Sequence, residues 1–162
     1  MMSCRYFLCF LVLTLSLPAA CDPAAREANI NQDKYIDDYI EKNYADNEVY
    51  RDGDICRVIL TPGAPGAPAL EKGDSTFLYF AGYVFSSNGP SSQFTLDSAR
   101  VRVGSGDLIR GLDKGLIGAR LGEESLVIFS ADDGYGSTAV GVVPENTALL
   151  FNVAIADIKK NP

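Results

Sequence analysis

The sequence predicts an α+β domain built on an antiparallel sheet, with one short helix late in the chain. Two observations carry this. Apolar and aromatic residues come in short runs of period two, separated by clusters of Gly, Pro, Asn and Asp, the pattern of strands and their turns. A single stretch in the second half, residues 108–117, is instead short and helical. Strands in succession, with helices at the margins, belong to α+β architectures and not to alternating βαβ units.

Residues 1–20 carry Arg5, an apolar run over 7–17 and small residues before Cys21, the layout of a secretory signal. The PAAC at its end is similar to a bacterial lipobox, whose cysteine is lipidated and becomes the first mature residue. The favoured leucine would stand three residues before the cysteine, whereas Leu17 stands four before it, followed by Pro18. The alternative is ordinary cleavage near Ala20, leaving a free thiol. Lipidation at Cys21 would place the chain at a bacterial cell envelope, bound to membrane through its N-terminus.

Residues 21–31 read as a polar tether, and residues 32–50 as an N-terminal helical segment. Within it Tyr35, Ile36, Tyr39, Ile40 and Tyr44 recur at threes and fours with acidic residues between them. The acidic polar face suits packing on the domain better than lying on a membrane. The main domain is expected over 51–162. There Ile55, Arg57 and Ile59 alternate with Cys56, Val58 and Leu60, ahead of a turn-rich loop over 61–74. Residues 75–85 form an aromatic strand and 86–92 a polar loop. Short strands are expected at 94–96 and 101–103. Strands at 125–129 and 149–158 flank a glycine-rich loop over 131–143.

The 162 residues hold 14 Lys and Arg against 21 Asp and Glu, a net charge of −7 without any basic stripe, so nucleic acid is excluded as a partner. With no histidine at all, His-dependent triads and His-ligated metals are excluded, and no cofactor is expected. Cys4 and Cys9 fall in the signal segment. With Cys21 acylated, Cys56 alone would remain, too few for a disulfide framework. About 130 residues can bury a single core without one.

The glycine-rich stretch VGSGDLIRGLDKGL, residues 103–116, invites comparison with a phosphate-binding loop. The spacing of Gly106 to Gly111 fits, but Leu112 stands where a P-loop has lysine, while Asp107 and Asp113 would confront a phosphate with carboxylates.

The order of LDS, this glycine-rich stretch, FSADDGYG and VVPENTALLFNVAI after an aromatic strand resembles the FKBP-type peptidyl-prolyl isomerases over about residues 72–158. LIRGLDKGL at 108–116, DDGYG at 132–136 and VPENTALLF at 143–151 carry the likeness. It implies a strongly curved antiparallel sheet wrapped around one short helix. Gly104 and Gly106 would then turn the chain into that helix, and Gly111 and Gly115 would let it nestle in the sheet. The chain departs from the family at Leu112, where a tryptophan usually forms the pocket floor, at Phe80 for a tyrosine, and at Leu96 for a phenylalanine. The loop between Asp97 and Leu108 is shorter by several residues.

The resemblance implies prolyl isomerisation. Phe80, Leu96, Leu108, Ile109, Leu112, Val142, Val143 and Phe151 would line the prolyl pocket. The Ile109 N–H and the Tyr135 hydroxyl would donate to substrate carbonyls, and Asp97 would accept a hydrogen bond from a nearby tyrosine. By type and spacing alone, Leu108, Ile109, Leu112 and Phe151 read as core, Tyr135 could merely plug its loop, and Asp97 could cap a turn. The implied partners are proline-containing polypeptides and macrolide inhibitors. Two functions stay open: an isomerase that helps envelope proteins fold, or an FKBP-like binding or scaffold domain with weak or no turnover. Oligomeric state stays open too, as does whether the N-terminal helix packs on its own domain or on a second chain.

Overall fold

The computed structural model describes residues 23–161; the expected signal segment over 1–20 and Cys21 lie outside the described residues. In chain order the elements are α1 (Pro23–Tyr44), β1 (Val49–Asp52), β2 (Ile55–Thr61), β3 (Ser75–Ser86), β4 (Gly89–Arg102), α2 (Arg110–Gly115), β5 (Glu124–Phe129), a 3₁₀ turn (Ala131–Asp133) and β6 (Ala148–Lys159). The strands form one antiparallel sheet in the order β1-β2-β5-β6-β3-β4, curved around α2.

The sheet is covered on both faces, which explains why its central strands read as nearly continuous apolar runs. On β5, Val127 and Phe129 face α2, whereas Leu126 and Ile128 face α1. On β2, Ile55 belongs to the α2 side and Cys56 and Val58 to the α1 side. Both strands spend alternate residues on two separate cores.

On the inner face α2 lies unusually close to the sheet. A Cβ at Gly111 would come within 2.3 Å of the Phe129 ring, and one at Gly115 equally close to Val127. Among the described residues, the buried charged pair under the helix is Arg57 with Glu123, both at most 3% exposed, with Nε and Oε1 3.2 Å apart. Arg57 also donates to the carbonyls of Gly115 (2.9 Å) and Ile117 (2.7 Å), tying the end of α2 to β2. The glycine-rich stretch ahead of α2 has an internal anion. Gly104 and Gly106 have φ of 75° and 84°, and their N–H groups donate to the Asp113 carboxylate at 2.8 and 3.2 Å. A carboxylate of the helix itself thus engages the N–H groups of the glycine-rich turn.

Helix α1 packs on the outer face of its own sheet. Ile36 and Ile40 are buried against Val58, Phe85, Ile128 and Leu150. The Phe85 ring meets Tyr35 at 5.8 Å and Tyr39 edge-on at 5.0 Å. Cys56 is free and buried in this layer, and the apolar surroundings push its thiol up to about 11.

Three local expectations change. Helix α1 begins at Pro23 and not after a tether reaching Asn31: proline suits the first helical position, and Ala24, Ala25, Glu27 and Ala28 are strong helix formers despite their lack of an apolar stripe. The helix ends at Tyr44, and Val49–Asp52 pairs with β2 as an extra edge strand. Finally, the polar loop over 86–92 and the two short strands after it form one fourteen-residue strand, β4, joined to β3 by a tight turn. Its burial is low along most of its length because it is the sheet edge, so its polar residues are compatible with pairing.

Candidate active site

Between the inner face of β3, β4 and β6, the start of α2 and the loop after β5 lies a cavity of about 500 Å³. Phe80 from β3, Phe94 from β4 and Phe151 from β6 form its aromatic wall, and Leu112 from α2 its floor. Phe151 is the hub. Its ring stacks on Phe129 at 5.9 Å, takes Phe94 edge-on at 5.6 Å, and lies 6.4 Å from Phe80. Tyr135 closes the side, its ring 6.4 Å from that of Phe94. Val140, Gly141 and Val142 form the rim.

The aromatic wall closes over a strand position that has no side chain. A Cβ at Gly82 would come within 2.7 Å of Phe94, 2.8 Å of Phe151 and 2.8 Å of Thr95. Glycine here lets two rings and a threonine converge over the strand.

Leu108 and Ile109 line the cavity just ahead of α2. The Ile109 carbonyl accepts from the Asp113 N–H (2.9 Å), while no hydrogen bond among the described residues engages its own N–H. The Tyr135 loop is fastened to α2: Arg110 Nε is 2.6 Å from Asp133 Oδ1, Arg110 also donates to the Asp132 carbonyl, and Lys114 Nζ is 3.7 Å from the same carboxylate. At the mouth, the Ser105 hydroxyl and the Arg102 N–H hold the Asp107 carboxyl below its usual value, so it stays charged. The cavity therefore offers an apolar interior with two free donors at its edge.

Of the residues chosen from sequence, Phe80, Leu108, Ile109, Leu112, Tyr135, Val142 and Phe151 come together here. Leu96, Asp97 and Val143 do not. Leu96 is 74% exposed, opposite Ala81 on the outer face. Asp97 is exposed, and its carboxylate accepts only the Ser98 N–H (2.7 Å), with no tyrosine partner. Val143 is 2% exposed, buried in the inner core beneath the rim. The cause at β4 is a bulge. Gly82 pairs with Thr95 and Tyr83 with Gln93, so Phe94 is an extra residue that reaches the cavity beside Thr95. Phe94, Thr95, Asp107, Val140 and Gly141 were missed. The phenylalanine two residues before Leu96 was the available signal, but a period-two pattern contains no mark of the inserted residue.

Residues 67–156 match the family model described as FKBP-type peptidyl-prolyl cis-trans isomerase. The chain belongs to that family. As a family member it is a peptidyl-prolyl cis-trans isomerase. It is 32% identical to FK506-binding protein 1 of Aspergillus oryzae over 113 residues, covering 63% of this chain and 96% of that protein. With FK506-binding protein 1 of Yarrowia lipolytica it shares 34% identity over 103 residues, 61% of this chain and 93% of the other. Among solved structures, a peptidyl-prolyl cis-trans isomerase from Pseudomonas syringae superimposes with TM-score 0.66 at 18% identity, over 84% of this chain and 96% of that one. FkpA from Escherichia coli does so with TM-score 0.63 at 19% identity, over 86% and 64%. At such identities the structural likeness speaks for the FKBP fold. The FKBP match begins at residue 67, so α1, β1 and β2 lie outside it.

Proposed function

We propose that the cavity over Leu112 receives the prolyl ring of an X-Pro segment, and that the chain acts on proline-containing proteins at a bacterial cell envelope, held there by lipid on Cys21. The observation that supports this best is the joining of a closed aromatic wall to two unused donors inside the family-matched region. Rotation about X-Pro faces an amide-resonance barrier of about 18–20 kcal/mol, and lowering it requires neither a nucleophile nor a proton transfer. The apolar wall strips water from the substrate carbonyl, which favours the twisted, less charge-separated amide. The Tyr135 hydroxyl and the Ile109 N–H hold flanking carbonyls and keep the peptide extended in the cavity. Macrolides of the kind named in the FK506-binding relatives would compete for the same cavity.

A proline-peptide assay tests the reading, because the uncatalysed reaction takes tens to hundreds of seconds and leaves a clear baseline. Turnover above that baseline, suppressed by a macrolide ligand, is expected; peptide and macrolide that both fail to bind would sink the site. Leu112 favours a second reading, a weak or inactive scaffold, since a leucine floor desolvates less of the ring than an indole. Restored turnover in Leu112→Trp, from an inactive wild type, would decide for the scaffold. The envelope assignment rests on the signal and PAAC residues. Wild type should partition with membranes and Cys21→Ser should be released or left unprocessed; fully processed, soluble wild type would overturn it.

A further inference from the structure

Gln32 of α1 is 5% exposed and reaches across to the loop that carries Tyr135. Its Oε1 accepts the buried N–H of Ala131 at 2.8 Å, and its Nε2 donates to the carbonyl of Asn146 at 2.8 Å. Two backbone bonds complete the circuit. The Gly136 N–H donates to the Ala131 carbonyl (2.9 Å), and the Asn146 N–H donates to the Gly136 carbonyl (2.7 Å). Gln32, Ala131, Gly136 and Asn146 thus form a closed ring of four hydrogen bonds, in which Gln32 is the sole side-chain member. Asn146 has the positive φ of 51° that this closure uses. Tyr135 immediately precedes one corner of the ring, and Val140, Gly141 and Val142 hang within the span it closes.

We propose that Gln32 is a positioning residue for the isomerase site: from the helix on the far face of the sheet, it holds the 131–146 loop so that Tyr135 and the valine rim meet the substrate. The proposal rests on the isomerase reading of the cavity. Gln32 lies outside the family-matched residues, so the site depends on a segment the family match does not include. The role needs one donor and one acceptor on the same side chain at this length, which glutamine provides. Glutamate keeps the acceptor for Ala131 but sets a carboxylate against the Asn146 carbonyl. Methionine keeps the bulk and offers neither bond.

The test compares wild type, Gln32→Met and Gln32→Glu as full chains, by KM and kcat on a proline peptide and by amide deuterium exchange. Gln32→Met should raise KM about fivefold with kcat little changed, because the released loop weakens a rim contact to the substrate worth about one neutral hydrogen bond. Exchange should quicken at Ala131, Gly136 and Asn146 and stay slow in β5 and β6. In Gln32→Glu the Ala131 amide should stay protected. Its KM should return toward wild type as pH falls and the carboxyl gains a proton to donate to Asn146, read against wild type at each pH to cancel the nearby Asp33 and Asp132. Unchanged KM and exchange in Gln32→Met would overturn the proposal, as would quickened exchange spread equally over β5 and β6. Wild type without turnover would defeat the isomerase reading instead, and the exchange measurements would still decide whether Gln32 holds the loop.

Discussion

The two faces of the sheet are built from the same strands and end in opposite ways. On the outer face, Ile36, Ile40 and Phe85 are each at most 4% exposed, filling the space that Cys56, Ile128 and Leu150 leave. On the inner face the neighbouring residues of those strands surround a cavity of about 500 Å³. The inner face is no worse packed: Leu78, Leu112, Val127 and Phe129 are at most 1% exposed. What differs is where side chains were omitted. Gly82 and Gly111 draw rings and backbone together below the cavity, and the bulge at Phe94 adds an aromatic wall above it. A binding hollow in a dense core comes from placed absences surrounded by rigid aromatics.

The largest expected effect separates the two faces most sharply. Ile40→Ala should cost about 2–5 kcal/mol of stability by opening a hole under α1, yet leave the KM of the folded protein at its wild-type value. Denaturant unfolding together with peptide kinetics reads both, and an equal loss in activity would mean the faces are coupled throughout. Gly82→Ala should do the converse. Its methyl group meets Phe94, Phe151 and Thr95, so stability should fall by about 1–3 kcal/mol while kcat/KM drops by roughly tenfold or more. Normal turnover in that variant would show that the rings can part without losing the pocket.

Tyr135→Phe should lower kcat/KM about fivefold, the worth of one neutral hydrogen bond of about 1 kcal/mol, with thermal stability unchanged because the hydroxyl has no partner among the described residues. The smallest effect belongs to the outer face. The Asp33 carboxyl is pushed up to about 6, chiefly by burial, then by Asp54, against a favourable bond from Ser130. Its value in the unfolded chain is lower, so the stability it contributes is complete below about pH 4 and is lost as pH rises through 6. Asp33→Asn should therefore be more stable than wild type at pH 7–8, the gap closing near pH 4. Thermal melts across that range check it; a gap that widens in acid would reverse the assigned cause.

Much of the inner face was legible in the sequence because it is encoded locally. Gly104, Gly106, Gly111 and Gly115 take the turn and close-approach roles that the family likeness implies, and LIRGLDKGL, DDGYG and VPENTALLF stand in family order. Those segments carry Leu108, Ile109, Leu112, Tyr135 and Phe151 into one cavity. The errors gather where one element must count residues against another. Leu96 and Asp97 were chosen by position in a motif, whereas the bulge opposite Gly82 and Tyr83 hands the wall to Phe94 and leaves Leu96 on the outer face. The resemblance implies that Val143 lines the prolyl pocket, and only the packing of its loop shows it facing the core.

The outer face divides in the same way. The sequence by itself determined that residues 35–44 form an amphipathic helix, since a stripe at threes and fours is a property of the chain alone. Tertiary structure alone decided that this helix covers its own sheet, and that Gln32, a polar residue at the margin of the stripe, closes a ring with residues 99 and 114 positions away. Periodicity records which face of an element is apolar. Hydrogen bonds between distant backbone groups depend on where the fold brings those groups, and no local pattern carries that distance.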